Sequence, residues 1–197
     1  MNFHTLIQRL LFLACLVFGA SQALAIELAD VKVDESANVA AQDLKLNGAG
    51  IRTKVFFKVY VGALYLTEVK TTAADVLAQA GAKRVKLTML RELGSDTLSH
   101  SLMEGIDNNT TAEERAKIAT QLTKLTELFG KVPQVNKGDV LTLDWIPASG
   151  TVVQLNGKQL GEIFPDVAFY NALLKIWLGE KPVDGSLKKH LLNEKTE

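Results

Sequence analysis

Cysteine is almost absent from these 197 residues; Cys15 is the only one. A lone thiol forms no internal disulfide and no multi-thiolate metal site. Neither charge is in excess, with 22 basic and 22 acidic residues, and no polybasic run occurs, so nothing electrostatic points to nucleic acid. The three histidines, His4, His100 and His190, are scattered, which argues against a zinc site. Standard signatures are also missing: there is no G-x-S-x-G, Walker loop, H-E-x-x-H or C-x-x-C. Gly48-Ala49-Gly50 is too short for a dinucleotide fingerprint and precedes a strand rather than a helix. No metal and no cofactor are therefore expected. What the chain does have is an apolar fraction of 47%, too high for a disordered protein.

The first 25 residues read as a secretory signal peptide. One positive charge, Arg9, precedes the apolar run Leu10–Phe18, which is too short to span a bilayer. Ala23-Leu24-Ala25 then offers a small-x-small cleavage pattern. Retention as an anchor and a lipoprotein cut before Cys15 are the alternatives. Cleavage after Ala25 leaves one domain, 26–197, without cysteine, which suits an oxidising compartment. The expected location is the periplasm. No later apolar run is long enough for a transmembrane segment.

Hydrophobic periodicity predicts an order of strands, helices, strands and helices. Ile26–Leu46 reads as a pair of short strands, Gly48-Ala49-Gly50 as a break, and Val55–Leu66 as the strongest strand. A short helix over Thr72–Ala80 and a strand over Arg84–Leu90 follow. Ser95–Ile106 reads as a helix, and Thr111–Phe129 as a long one, opened by a Thr111/Glu114 capping box and striped by Ile118, Leu122, Leu125 and Phe129. Val140–Ile146, Val152–Leu155 and Gln159–Ile163 read as strands. Helices from Pro165 to Trp177 and over Ser186–Leu192 end the chain. This is not regular βαβ alternation. It predicts an α+β fold, an antiparallel sheet with helices packed on one face.

Arg52 stands out chemically. It lies between a Gly-Ala-Gly stretch and an apolar strand, where a guanidinium could enter an apolar cleft and hold a carboxylate through two hydrogen bonds. It could equally be a surface arginine at a strand end. Tyr60 and Tyr65 could present hydroxyls to a ligand or serve as core aromatics, whereas Trp145 and Trp177 read as core. His100 and His190 read as surface or helix-edge residues. Asn108–Thr110 and Asn109–Thr111 are formal glycosylation sequons that matter only in a eukaryotic secretory pathway.

The stretch G-A-G-I-R-T-K (Gly48–Lys54) followed by F-K-V-Y-V-G-A-L-Y-L (Phe57–Leu66) resembles the chalcone isomerase superfamily, and most closely its secreted bacterial chalcone isomerase-like branch. Val85–Leu90, Thr111–Phe129, Gly161–Pro165, Phe169–Gly179 and Pro182–Leu192 are similar to its later elements in the same order, so the resemblance spans residues 27–193. It implies an open-faced β-sandwich, a large antiparallel sheet with helices over one side and a ligand cleft between them. It places Arg52 on the arginine that the enzymes use to stabilise developing negative charge and that fatty-acid-binding relatives use to hold a carboxylate. It places Tyr60 where those binders carry a tyrosine and the enzymes a threonine. Leu98, Gly105 and Ile176 fall near polar residues of the enzymes, which this sequence therefore lacks. That argues against chalcone isomerase activity.

The resulting expectation is a periplasmic, non-catalytic binder of a small amphipathic carboxylate such as a fatty acid, with Arg52 and Tyr60 as ligand-binding residues. Val55–Leu66 and the apolar face of Thr111–Phe129 would wall the tail. One alternative is an isomerase or intramolecular lyase on another substrate, with Arg52 as its electrophile, although no general base is evident. Another is an envelope structural protein in which Arg52 pairs with Asp144 or Glu92. Along a straight strand Arg52 and Tyr60 would stand about 26 Å apart. They can form one site only if the chain turns near Thr53–Val55.

Overall fold

The computed structural model describes residues 26–132 and 134–194. The expected signal peptide lies outside the described residues. Seven strands form one antiparallel sheet: β3 (Ser36–Val39), β4 (Gln42–Lys54), β5 (Phe57–Leu66), β6 (Lys83–Met89), β9 (Val140–Ile146), β10 (Gly150–Leu155) and β11 (Lys158–Gln159). Their spatial order is β11-β10-β9-β6-β5-β4-β3. Two small two-stranded sheets accompany it, β1 (Ile26–Leu28) with β2 (Val31–Val33), and β7 (Leu93–Gly94) with β8 (Gln134–Val135). The helices are α1 (Ala73–Ala78), α2 (Ser95–Asn109), α3 (Ala112–Lys117), α4 (Ala119–Gly130), α5 (Val167–Leu178) and α6 (Gly185–Leu191).

One face of the sheet and the helices share the main core. Helix α5 lies at its centre. Its run Phe169, Tyr170, Ala172, Leu173, Leu174, Ile176, Trp177 and Leu178 is buried, so the helix is apolar nearly all round, as a fully enclosed helix must be. The Asp166 carboxylate caps it by accepting from the Ala168 amide. The expected α+β architecture is present, and every helix but α3 contributes buried side chains to this face. The opposite face carries a smaller core in which β1 and β2 cover Val61, Ala63 and Tyr65 of β5. Strand β5 is therefore enclosed on both sides, which accounts for its nearly continuous apolar sequence.

Several elements depart from the sequence expectation. The predicted pair of strands over Ile26–Leu46 is three short strands plus the start of β4. The predicted break at Gly48-Ala49-Gly50 is the middle of β4, and the glycines admit a helix rather than end a strand. The strand predicted from Val55 starts at Phe57, because Val55 and Phe56 form the hairpin turn. The predicted helix Thr111–Phe129 is two helices. The capping box is formed, but at Ile118 the backbone leaves helical geometry (φ −114°, ψ 14°) while its side chain is fully buried. The predicted strand Gln159–Ile163 pairs only over Lys158–Gln159, with Phe164 bridging to Thr151 farther on.

Charged side chains inside this frame are few. Arg84 and Asp144, cross-strand partners on β6 and β9, form a two-pronged pair with both N–O distances 2.6 Å. The pair holds the Arg84 pKa above its ordinary value through the Asp144 hydrogen bonds. Lys83, at 1% exposure, donates only to the Leu77 carbonyl, at 3.2 Å. Burial lowers its pKa from 10.5 to about 8. Between these two values the unfolded chain holds a proton that the folded one has released, so stability rises with pH across that window. Above about pH 10 the trend reverses. Burial raises the pKa of Tyr60, Tyr65 and Tyr170, so the unfolded phenols ionise first. Denaturant titrations from pH 7 to 11 are expected to show stability rising and then falling, and Lys83→Met is expected to abolish the rise. A flat profile in the wild-type protein would contradict a buried, discharged amine.

Candidate functional site

The site is built at the turn end of the β4–β5 hairpin. The two strands pair from Lys45/Leu66 to Lys54/Phe57, with irregularities between Leu46 and Gly48 and between Arg52 and Thr53. The second is a bulge, since Arg52 faces Tyr60 and Thr53 faces Lys58, leaving Val59 unmatched. Val59 and Tyr60 consequently both join the helix-side core. The turn at Val55–Phe56 makes Arg52 and Tyr60 direct cross-strand neighbours. The sequence had left them either far apart or on one site, and the turn puts them side by side.

Glycines prepare the same face for α6. A Cβ at Gly48 would stand 2.0 Å from the His190 carbonyl oxygen, and one at Gly50 would stand 2.8 Å from the His190 Cβ. Gly62, opposite Gly50, is covered by Leu187. Helix α6 thus lies directly on the sheet. Its cap, Asp184, accepts from the amides of Ser186 and Leu187 through one oxygen and from the Thr53 amide through the other, at 2.9 Å. That last bond fixes the strand beside Arg52. Asn47 secures the other end, donating to the carbonyls of Lys70 and Leu191 and accepting from the Lys70 amide.

The Arg52 guanidinium carbon lies 5.5 Å from the centre of the Tyr60 ring, a cation–π contact. Tyr60 is buried, and its hydroxyl oxygen accepts from the Trp177 indole N–H at 2.8 Å. Burial, with the Asp184 charge acting in the same direction, raises the Tyr60 pKa despite the opposing effects of Arg52 and Trp177. The phenol therefore stays neutral. Arg52 itself is half-buried, with its Nε out of water and without a partner. Among the described residues no carboxylate lies within ion-pair distance of it. The expected alternative of an Arg52–Asp144 pair is overturned, because Asp144 is engaged on both oxygens by Arg84.

Arg52 opens onto a cavity of about 530 Å³. Its apolar wall is Val55, Phe57, Val59 and Leu93, and the wall facing it is the start of α2, with Thr97 and Ser101 one turn apart. Lys54, Arg91 and Glu92 stand around it. The volume falls within the range of small-molecule sites, about 300–1,000 Å³. Tyr60 is not part of the wall; it lies behind Arg52 and supports it. Tyr65 is on the other face of the sheet, donating to the Asp34 carbonyl at 3.0 Å. The expected tail wall on the Thr111–Phe129 segment is also absent here. Ile118, Leu122, Leu125 and Phe129 are packed into the main core.

A family model described as chalcone isomerase-like matches residues 25–193. The chain belongs to this family. Among solved structures it is similar to a fatty-acid binding protein of Arabidopsis thaliana, with a TM-score of 0.65 over 86% of this chain and 96% of that one, at 14% identity. That likeness concerns the fold. No curated protein matches the sequence. Three positions of this chalcone isomerase-like chain, compared above with polar residues of the enzymes, have apolar surroundings. Leu98 and Ile176 are buried in the core, and a Cβ on Gly105 would come within 2.8 Å of Ile176 Cγ2. Gly105 and Ile176 are thus where α2 and α5 pack together.

Sequence reasoning missed Arg91, Thr97 and Ser101. Thr97 and Ser101 did leave a signal, being polar positions spaced i, i+4 on a helix whose core side carries Leu98 and Leu102. They lie about 100° around the helix from the apolar stripe, on the face beside it rather than on the stripe itself.

Proposed function

We propose that this protein is a non-catalytic binder of a small amphipathic carboxylate, such as a fatty acid, acting in the periplasm after removal of its leader. The observation that carries the reading is an arginine with no ion-pair partner among the described residues, on the wall of a largely apolar cavity. A carboxylate would complete the Arg52 guanidinium, and the chain behind it would lie along Val55, Phe57, Val59 and Leu93. Each methylene removed from water contributes about 0.8 kcal/mol. A medium chain with one charge-assisted pair therefore supports affinity in the micromolar range, about 8 kcal/mol. The similarity to a fatty-acid binding protein adds support through the fold. Support for export comes from the leader pattern of the sequence. Among the described residues no helix is long and apolar enough to cross a membrane.

Native mass spectrometry of the protein purified from its own host tests the reading. The expected result is a mass excess that extracts as a fatty acid or a related carboxylate. Protein that is empty, and whose melting temperature no fatty acid shifts, would overturn it.

A further inference from the structure

The turn of the β4–β5 hairpin is built against the usual rules for a soluble surface. Val55 is 77% exposed, Phe56 91% and Phe57 60%, three consecutive apolar residues at the outermost point of the hairpin. Val55 also adopts φ 58°, in the left-handed region that β-branched residues avoid and that two-residue hairpins usually fill with glycine or asparagine. Little packing within the fold offsets this, because the side chain is largely exposed at the rim of the cavity. Exposed Lys54 and Lys58 bracket the three residues in the order K-V-F-F-K, and the Arg91 guanidinium stacks over the Phe57 ring at 4.8 Å. An apolar tip ringed by three cations matches the chemistry of an anionic bilayer surface, with apolar side chains entering the acyl boundary and lysines meeting the phosphates.

We propose that the Lys54–Lys58 hairpin tip docks this protein onto an anionic lipid bilayer. The tip is also the rim of the cavity, because Lys54, Val55 and Phe57 belong to both. Docking places the mouth of the cavity at the membrane surface, so an amphipathic carboxylate passes between bilayer and Arg52 without its tail crossing bulk water. This part of the inference rests on the proposed carboxylate binding, whereas the docking itself does not.

Vesicle flotation with the processed protein, beginning at Ile26, tests it. Vesicles of phosphatidylcholine containing phosphatidylglycerol are expected to carry the protein up the gradient. Vesicles of phosphatidylcholine alone are expected to carry much less, and added salt to weaken the binding. Phe56→Ser and, separately, Lys58→Glu are each expected to reduce binding roughly tenfold or more, through lost apolar insertion and lost charge attraction respectively. Neither side chain lines the cavity. Both variants are therefore expected to keep the wild-type melting temperature and wild-type affinity for a soluble fatty acid. Failure of the folded wild-type protein to float with the anionic vesicles overturns docking, as does undiminished flotation of Phe56→Ser. Self-association of the wild-type protein that Phe56→Ser abolishes would assign the tip to a second copy of the chain and would also overturn it. Loss of fatty-acid binding alone, with flotation intact, would count against the carboxylate reading instead.

Discussion

Replacing Arg52 with alanine is expected to weaken binding of a fatty acid by roughly 30- to 150-fold, the equivalent of about 2–3 kcal/mol for a hydrogen-bonded charge pair. Calorimetry on the ligand-free protein would measure it. The same substitution should change little for the methyl ester of that ligand, which has no charge to pair. Arg52→Lys is expected to fall between the two, because an ammonium keeps the charge but loses both the planar fork and the stack on Tyr60. Tyr60→Phe separates support from contact. The ring stays under Arg52, but the Trp177 indole N–H loses its acceptor in a buried site. The result should be a loss of about 1–3 kcal/mol in stability with a smaller change in affinity. Equal binding of the fatty acid by wild-type protein and Arg52→Ala would remove Arg52 from the site.

The second large effect is expected far from the cavity. In Gly48→Ala the new methyl would stand 2.0 Å from the His190 carbonyl oxygen and 2.9 Å from that of Leu191. Both obstacles are backbone, so no rotamer change can relieve them. Helix α6 must lift from the sheet, straining the Asn47 hydrogen bond to Leu191. We expect a loss at the upper end of the overpacking range, about 3 kcal/mol, or a fall of about 6–12 °C in melting temperature. The contrast is Gly157→Ala, where a Cβ meets nothing within 4 Å and only the positive φ of 76° opposes it. A Gly48→Ala protein as stable as wild type would show that α6 does not lie this close.

These two residues illustrate what could and could not be read beforehand. Helix and strand order followed from periodicity, because each element has an apolar face to bury, and the Thr111/Glu114 box was visible as a local pattern. Gly48 was misread because a glycine that ends a strand and a glycine that admits a helix onto one look alike in sequence. The difference lies in His190, 142 positions away in the chain. The same holds for Val55 and Phe56. Their β propensity is high, and only the tertiary register of β4 on β5 makes them a turn. At the site, Arg52 was recognisable from its neighbours. Its placement beside Tyr60 depended on that turn, and the cavity wall from α2 depended on helix docking that no short-range pattern encodes.

The strand order also bears on how the chain reaches this structure. Strands β3 to β6 are joined in sequence, as are β9 to β11, so each block can assemble from near neighbours. The two blocks meet only where β6 pairs with β9, from Lys83/Trp145 to Thr88/Val140. Residues 90–139, which hold α2, α3 and α4, form the loop that this pairing must close. Closing it loses chain entropy before any ladder hydrogen bond is gained, and such non-local pairings slow folding. The Arg84–Asp144 pair sits on that seam. It joins the two halves where the polypeptide itself connects them least directly.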